Sequence, residues 1–295
     1  MRHLLLLGYA LLIAACSATA QTSEDPKVET IPVRGNIYML KGQGGNLGVL
    51  TGEDGVFVVD AQYARMGEKL RAAITALNDE PIHYLVNTHW HGDHTGGNEG
   101  FAEVGARLIA HRNVYDRMSQ PYERRGETQP AAPEAARPDI TFTDELEFRI
   151  NGQLVMVFHV DNAHTDGDAV VYFPESNVIH AGDVLFYPLF PYIDRSSGGS
   201  LDGVLRAVNR ILFLANDDTK IIPGHGNLTD RAGLIEYRDM LLDLRNKVGA
   251  QIRAGKTKEE IVAMNLHAPY QEKWNWNFIS GERMIEQVYD NLTAE

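Results

Sequence analysis

The chain has 295 residues, of which 44% are hydrophobic and 23% are charged, so it can bury a large core and has an ordinary globular composition. Its formal net charge is −13, and an acidic surface repels phosphate backbones and anionic lipid headgroups. Nucleic acid is therefore excluded as a bulk partner. The single cysteine, Cys16, excludes a disulfide bond within the chain and a cluster of thiolate metal ligands.

The N-terminal segment MRHLLLLGYALLIAACSATAQ combines an early arginine, an apolar run over residues 4–13 and a series of small residues. The run is too short to span a bilayer and has the pattern of a secretory signal peptide, which we place at residues 1–20. Cleavage after the A-x-A site at 18–20 leaves Gln21 first. Alternatively, IAAC resembles a bacterial lipobox, in which Cys16 is lipidated. We predict export to the periplasm, with attachment to the outer membrane if Cys16 carries lipid.

The first half of the mature chain alternates strands and helices. Short β-rich runs separated by Gly and Asn predict strands at 36–41, 46–51 and 55–60. An apolar period of 3.6 residues predicts a helix from Tyr63 to Leu77. The next segments are predicted as a buried strand at 82–88, a strand at 107–111 with a short helix to about Met118, and a long surface loop from Pro121 to Pro138.

The second half repeats this order. Strands are predicted at 140–150, 153–160, 169–173 and 177–183, a helix at about 202–214 and a strand at 220–224. From residue 231 to 295 the pattern is helical. Hairpin-like strand pairs dominate, so we predict two sheets packed face to face with helices outside, over residues 30–230, and a helical C-terminal extension packed on that core.

The stretch NTHWHGDHTGGN at 87–98 crowds three histidines and an aspartate where a buried strand ends. Its spacing and glycines differ from the helical H-E-x-x-H zinc motif, and they predict a glycine-rich turn. On an extended chain residues i and i+2 lie on one side, so His89, His91 and Asp93 are expected to converge, and the turn brings His94 round. Imidazole and carboxylate suit Zn²⁺, Mn²⁺ or iron. Incidental histidines in a polar loop explain this density poorly.

Three further candidates follow other predicted strands. His164 lies in NAHTDGD, Asp183 in HAGDVLF and His225 in PGHGN, each beside a glycine that lets the backbone bend around an ion. Each motif alone is weak evidence, since an isolated PGHG can be a turn and an isolated AGD a helix cap. Their order along the chain, together with the histidine cluster, indicates a metal site.

The motif set resembles the metallo-β-lactamase superfamily over about residues 30–230. The resemblance implies a four-layer αββα sandwich with the metals at one edge of the two sheets. It also implies that His89, His91 and His164 hold a first metal ion, that Asp93, His94 and His225 hold a second, and that Asp183 bridges them. It places Asp60, at the end of a predicted strand, behind the ligands, where it orients one of them. A simple strand-terminal cap is the alternative role for Asp60.

Other polar and aromatic residues have weaker claims. Tyr187, Tyr192 and Asn227 are candidates to contact the substrate at the mouth of the site. Asp168 is either a partner of the His164 segment or a turn residue. Trp274, Trp276 and Phe278 either shape the pocket or belong to the core. The remaining histidines within the mature chain are predicted to be structural; these are His83, His111, His159, His180 and His267.

The resemblance implies a hydrolase with two divalent ions, most simply Zn²⁺, in which a hydroxide shared by the ions attacks an ester, lactone, thioester or amide-type bond. Asp93 is expected to orient that hydroxide as well as to bind metal. Dedicated β-lactamases typically lack a bridging aspartate, so Asp183 makes the chain more similar to glyoxalase II-like thioesterases and lactonases. β-Lactamase activity is then a secondary expectation, and the substrate is a small molecule.

Two other classes of function remain open at this stage. Some relatives are iron-dependent sulfur dioxygenases or oxygen-reducing diiron proteins, although the latter usually carry glutamate at the position of His91. The other alternative is a metal-binding accessory protein without turnover. The sequence gives no indication of the oligomeric state.

Overall fold

The computed structural model describes residues 26–124 and 126–293. The predicted signal peptide, with Cys16 and the two processing sites, lies outside the described residues. Among the helices that are described, none combines the length and the apolar character needed to cross a bilayer.

The first sheet has seven strands in the order β1-β2-β3-β4-β5-β6-β9. Its first half is an antiparallel meander and its second half is parallel. The strands are Glu29–Arg34 (β1), Ile37–Lys41 (β2), Leu47–Leu50 (β3), Val56–Val59 (β4), Ile82–Val86 (β5), Arg107–His111 (β6) and Ile140–Phe142 (β9). A separate hairpin pairs Tyr122–Arg124 (β7) with Glu127–Gln129 (β8).

The second sheet has six strands in the order β10-β11-β12-β13-β15-β17. The strands are Glu145–Ile150 (β10), Gln153–His159 (β11), Ala169–Phe173 (β12), Val178–His180 (β13), Lys220–Ile222 (β15) and Thr229–Asp230 (β17). A short parallel pair, Phe186–Tyr187 (β14) and His225–Gly226 (β16), lies apart from both sheets.

Alternation along the strands creates the layers. In β4, Phe57 and Val59 belong to a core between the two sheets, whereas Val58 belongs to a second core under the helices of the first sheet. In β12, Val171 faces the core between the sheets and Val170 faces a third core under the helices of the second sheet. Because successive side chains of a strand point to opposite faces, each sheet is buried on both sides. The predicted αββα order is confirmed.

The outer layers contain the helices Gly67–Leu77 (α1), Gly92–Thr95 (α2), Asn98–Ala102 (α3), Arg112–Met118 (α4), Leu201–Leu214 (α5), Arg231–Arg253 (α6), Lys258–Val262 (α7), Gln271–Trp274 (α8) and Gly281–Leu292 (α9). Ser200, Asp230 and Ser280 cap α5, α6 and α9 by accepting a backbone N–H of the first turn. Helices α5, α6 and α9 share one apolar core with the outer face of the second sheet. The C-terminal helices therefore pack against the sandwich.

Three predicted segments differ in the structure. The single strand predicted at 140–150 is two strands, β9 in the first sheet and β10 in the second, because the chain leaves one sheet at Thr143 and Asp144. The surface loop predicted from Pro121 to Pro138 contains the β7–β8 hairpin and a 3₁₀ turn at Glu134–Ala136. In addition, the helix predicted from Tyr63 begins as a 3₁₀ turn at Ala64–Met66 and becomes α-helical at Gly67.

Candidate metal centre

The histidine cluster begins in the extended segment after β5 and ends in a helical turn. His91 is the N-cap of α2, which spans Gly92–Thr95, so the predicted glycine-rich turn is helical. Glycine is required after this helical turn because the backbone there packs closely on a neighbouring segment: a Cβ at Gly97 would lie 2.3 Å from the carbonyl oxygen of Ala61. The helical turn places Asp93 and His94 in a different ligand group from His89 and His91, although the ring centroid of His94 lies 4.2 Å from that of His89. The carboxylate of Asp93 is therefore grouped with His94 and His225, whereas simple i, i+2 alternation predicts that it lies with His89 and His91.

All seven predicted metal ligands come together, in two groups whose ligand atoms lie within 4.8 Å of one another. The first group is His89, His91, His164 and Asp183; the second is Asp93, His94 and His225. In the first group His91 Nδ1 lies 3.1 Å from His89 Nε2 and 2.9 Å from His164 Nε2. In the second, His225 Nε2 lies 3.3 Å from His94 Nε2 and 3.2 Å from Asp93 Oδ2.

Asp183 lies between the two groups. Its Oδ2 is 3.7 Å from His89 Nε2 and 3.4 Å from His164 Nε2 in the first group. Towards the second group, Oδ1 is 3.2 Å from His94 Nε2 and Oδ2 is 3.5 Å from His225 Nε2. Oδ1 is buried and has no hydrogen-bond partner. A buried carboxylate oxygen without a partner is costly, and a cation at this point would satisfy it.

The outward ring nitrogens of four histidines contact fixed acceptors. His89 Nδ1 lies 3.1 Å from Thr88 Oγ1, His91 Nε2 2.9 Å from Asp194 Oδ2, His94 Nδ1 2.7 Å from Asp60 Oδ2, and His164 Nδ1 2.8 Å from the carbonyl oxygen of Tyr192. Each acceptor takes the N–H of its imidazole. The lone pair of the other ring nitrogen therefore points into the cluster, which is the orientation of metal-binding histidines.

Asp60 combines both roles considered from the sequence. It is fully buried and has a left-handed φ of 67°. Its carboxylate accepts the backbone N–H and the hydroxyl of Thr88 at 2.7 and 2.8 Å, and it also accepts from His94 at 2.7 Å. Asp60 thus joins the end of its strand to the segment that carries the histidine cluster, and it orients one imidazole.

Asp194 is a functional candidate that the sequence reasoning missed. Its carboxylate accepts from His91, from the hydroxyl of Ser196 at 2.5 Å and from the hydroxyl of Ser197 at 2.6 Å. The local sequence DRSS indicates only an Asp cap of a short 3₁₀ turn. Asp168, by contrast, had been considered, and it accepts the backbone N–H groups of His164 and Thr165. It therefore shapes the loop that carries His164, and burial raises its pKa to about 7.

Electrostatics separate the buried imidazoles into two classes. Burial lowers the pKa of His89 well below its ordinary value and that of His164 to about 4, so both favour the neutral form that binds metal. Burial also opposes protonation of His94 and His225, but the neighbouring carboxylates together, Asp183 foremost, outweigh it and raise the pKa of both, that of His225 to about 9. For Asp183 itself, burial acts to raise the pKa, but the surrounding histidines lower it well below its usual range.

One side of the cluster is open. The side chains of Asp93, His91 and His225 are 24%, 19% and 16% exposed, whereas Asp183 is 5% exposed and the other ligand histidines are buried. Tyr192 borders this side, with its ring centroid 6.2 Å from that of His91. Asn227 is exposed next to His225, and its Oδ1 accepts from Lys41 Nζ at 3.0 Å.

Tyr187 is placed differently from the other two substrate-contact candidates. Its hydroxyl donates to Glu236 on α6 at 3.3 Å, and its ring packs on Trp274. The five histidines predicted to be structural are all absent from the two ligand groups. His111 and His159, for example, stack on each other with centroids 3.8 Å apart, and His180 Nε2 lies 3.0 Å from the carbonyl oxygen of Asn46.

The donor set fits divalent metal ions. Five imidazoles and two carboxylates converge, four imidazoles are held by their outward nitrogens, and one carboxylate oxygen lacks a partner. Imidazole and carboxylate bind Zn²⁺ and other first-row divalent ions, so the cluster is able to bind metal. The sequence model of the metallo-beta-lactamase superfamily matches residues 40–225 of the chain. The chain belongs to the metallo-beta-lactamase superfamily.

Individual relatives and solved structures are similar to the chain in sequence or in fold. A metallo-beta-lactamase from Pontibacter korlensis has a TM-score of 0.61 and 19% identity, covering 74% of this chain and all of that one. A linear primary-alkylsulfatase from Pseudomonas sp. (strain ATCC 19151) is 22% identical over 80% of this chain and 54% of its own length. A hydroxyacylglutathione hydrolase from Pelagibacter ubique (strain HTCC1062) is 31% identical over 39% of this chain and 42% of its own length.

The chain spans about half the length of the curated relatives that it matches. The superfamily and the αββα fold predicted from the sequence are confirmed. The identity and number of the metal ions and the substrate are matters for proposal.

Proposed function

We propose that the chain is a hydrolase that holds two divalent ions, Zn²⁺ in the first instance, and cleaves an ester, lactone, thioester or amide-type bond of a small molecule. The observation that carries this proposal is the position of Asp183, whose carboxylate contacts histidines of both ligand groups. His89, His91 and His164 would hold the first ion, Asp93, His94 and His225 the second, and Asp183 both.

When bound, two such ions lower the pKa of a shared water toward ~7 and stabilise the negative charge that develops at the reacting centre. The chain's own residues supply orientation. Asp93 lies on the open side of the cluster, 3.2 Å from His225, where its carboxylate can accept a hydrogen bond from the attacking water. Asp60 and Asp194 fix the imidazoles of His94 and His91, so that their lone pairs do not turn away during turnover.

Asn227 is the best placed of the three substrate-contact candidates to polarise a substrate oxygen. It is exposed, follows His225 by two residues and accepts from Lys41 through Oδ1, which leaves its amide N–H groups as donors. Tyr192 would contribute its ring rather than its hydroxyl. The hydroxyl of Tyr187 already donates a hydrogen bond to Glu236, so Tyr187 would support the site through the packing of its ring.

Two of the relatives support ester-type chemistry without fixing the bond. A hydroxyacylglutathione hydrolase and a linear primary-alkylsulfatase are both hydrolases, and they act on different classes of ester. We propose a carboxylic ester, lactone or thioester as the main substrate class and β-lactam cleavage as a side activity.

The test is a substrate panel on the purified, zinc-loaded chain, comprising a lactone, a thioester, an alkyl sulfate, nitrocefin and a phosphodiester. We expect hydrolysis of at least one carboxylic ester-type substrate, its loss on chelation and its recovery with zinc. The iron-loaded chain is assayed in parallel for oxygen consumption with a persulfide. An inert zinc form beside an oxygen-consuming iron form would replace the hydrolase by a sulfur dioxygenase. Metal binding with no turnover in either form would indicate an accessory protein.

We also propose that the chain is exported, on the basis of its N-terminal pattern alone. Expression of the full chain in a Gram-negative host, followed by fractionation and intact-mass measurement, tests this. The mature chain should begin at Gln21, or at a lipid-modified Cys16 in the membrane fraction. A chain that retains residues 1–15 in the soluble cytoplasmic fraction would refute export.

A further inference from the structure

We infer that the C-terminal extension supplies a binding site for an apolar acyl or alkyl group of the substrate, which rests on the proposed hydrolase function. The site is an aromatic wall made of Tyr192, Trp276 and Phe278. The first residue comes from the loop before α5, and the other two come from the segment between α8 and α9.

The wall runs along the open side of the metal cluster. Phe278 is central, with its ring centroid 5.4 Å from Tyr192 and 5.5 Å from Trp276, both in near-perpendicular contact. At one end Tyr192 is 6.2 Å from His91; at the other end Trp276 is 6.1 Å from His225. These two histidines are the exposed imidazoles of the two ligand groups. The rings thus connect one metal position to the other around the entrance.

The segment that carries the wall is firmly anchored. Trp274 and Ile279 are buried in the core shared with the second sheet, on either side of Trp276 and Phe278. The indole N–H of Trp276 donates to the carbonyl oxygen of Phe190 at 2.9 Å. Arg283 on α9 donates to the carbonyl oxygen of Phe278 at 3.0 Å, and its guanidinium lies 5.1 Å from the centre of the Phe278 ring. The rings are therefore held in place before any ligand arrives, which lowers the entropic cost of binding.

The exposure of the wall indicates an apolar ligand. Phe278 is 45% exposed although it contacts two other rings, and Tyr192 and Trp276 are only partly buried. When an apolar group covers a phenyl ring that is exposed to water next to two further rings, the free energy of the system falls. The ligand must also reach the open side of the cluster. A substrate whose scissile bond lies at the metals and whose acyl or alkyl chain lies along the rings meets both conditions.

The first experiment measures chain-length preference with p-nitrophenyl acetate, butyrate and hexanoate on the zinc-loaded full chain. We expect kcat/KM to rise by up to about fourfold for each methylene group that is buried against the wall, which corresponds to about 0.8 kcal/mol. In Phe278→Ala the ratio of hexanoate to acetate should fall by on the order of tenfold, the equivalent of about two buried methylene groups. Phe278→Tyr keeps the ring and should keep the ratio.

A matched control removes an exposed phenylalanine elsewhere. Phe213, near the end of α5, is 89% exposed and is not part of the wall, so Phe213→Ala should leave the ratio unchanged. Thermal unfolding of all three variants identifies any that fails to fold. Equal ratios in the parent chain, Phe278→Ala and Phe278→Tyr would overturn the proposal.

The second experiment does not depend on turnover. Octanoate and acetate share the carboxylate that can bind metal and differ only in the chain, so calorimetry of both isolates the contribution of the wall. We expect octanoate to bind at least tenfold more tightly than acetate, and this difference to shrink in Phe278→Ala. If no ester is hydrolysed but octanoate still binds more tightly than acetate in a way that depends on Phe278, the hydrolase proposal is refuted and the aromatic wall is supported as a binding site. If esters are hydrolysed without preference for longer chains and octanoate binds no better than acetate, the wall fails.

Discussion

Replacement of Asp183 by asparagine tests the two-metal proposal most directly. The substitution keeps the size of the side chain and removes its charge from a position within 3.2–3.7 Å of four imidazole nitrogens. At an effective dielectric of about 20, the attraction between two unit charges 4 Å apart is about 4 kcal/mol. The metal-binding free energy lost with this carboxylate therefore exceeds the ~2.7 kcal/mol that corresponds to a hundredfold weaker binding. The first group keeps three histidines, a complete catalytic-type zinc site, whereas the second keeps two histidines and Asp93.

We therefore expect Asp183→Asn to fold, to retain about one metal ion per chain after gel filtration, and to lose hydrolysis by on the order of a hundredfold or more. Elemental analysis and steady-state rates provide the two readouts. Asp166→Asn is the matched control, because Asp166 pairs with Arg117 through both carboxylate oxygens and belongs to neither ligand group. The control should retain about two ions. Two tightly held ions and similar rates in Asp183→Asn would refute the bridging role.

The other predictions concern residues around the ligands. Asp60→Asn should weaken metal binding at His94 by about 10- to 100-fold in a competition with a chelator, because the imidazole loses its buried carboxylate partner; an unchanged affinity would contradict this orienting role. Asp194→Asn should produce a loss of similar size confined to the first group, measured in the same way, and a loss in the second group instead would assign it a different role. In Gly45→Ala the new Cβ would lie 2.1 Å from His94 Cε1, so urea unfolding should show a loss of about 1–3 kcal/mol together with a lower metal content. A Cβ at Gly92 meets nothing within 4 Å, so Gly92→Ala should be far milder, and equal losses in both variants would contradict the packing argument.

The candidate ligand residues could be predicted from the sequence because each one has a local sequence signal. His164, Asp183 and His225 follow apolar strand patterns and stand near glycine, and the H-x-H-x-D-H spacing is dense enough to indicate metal without any alignment. The order of the layers could also be predicted from the sequence, because alternating and continuous apolar runs indicate which faces of a strand are buried.

The features that escaped prediction depend on distant contacts. Asp194 reaches His91 across 103 positions of sequence, and its own neighbours carry only a capping pattern. The segment 140–150 keeps an apolar period of two across Thr143 and Asp144, so periodicity does not reveal that the chain changes sheets there. For Trp276 and Phe278 the sequence leaves a pocket role and a core role open, and only the return of the C-terminal segment to the open side of the cluster distinguishes them.

The origin of the ligands in both sheets links metal uptake to the assembly of the sandwich. His89, His91, Asp93 and His94 follow β5 of the first sheet, whereas His164, Asp183 and His225 follow β11, β13 and β15 of the second. Ions held across this seam as proposed would bind the chain in which the sheets have docked in preference to the undocked chain, so their binding free energy would add to the free energy of docking. By the same linkage, a cavity made deep between the sheets, for instance at Val157 or Phe173, would lower metal affinity without touching a ligand. Metal affinity and the free energy of unfolding would thus be coupled through one equilibrium.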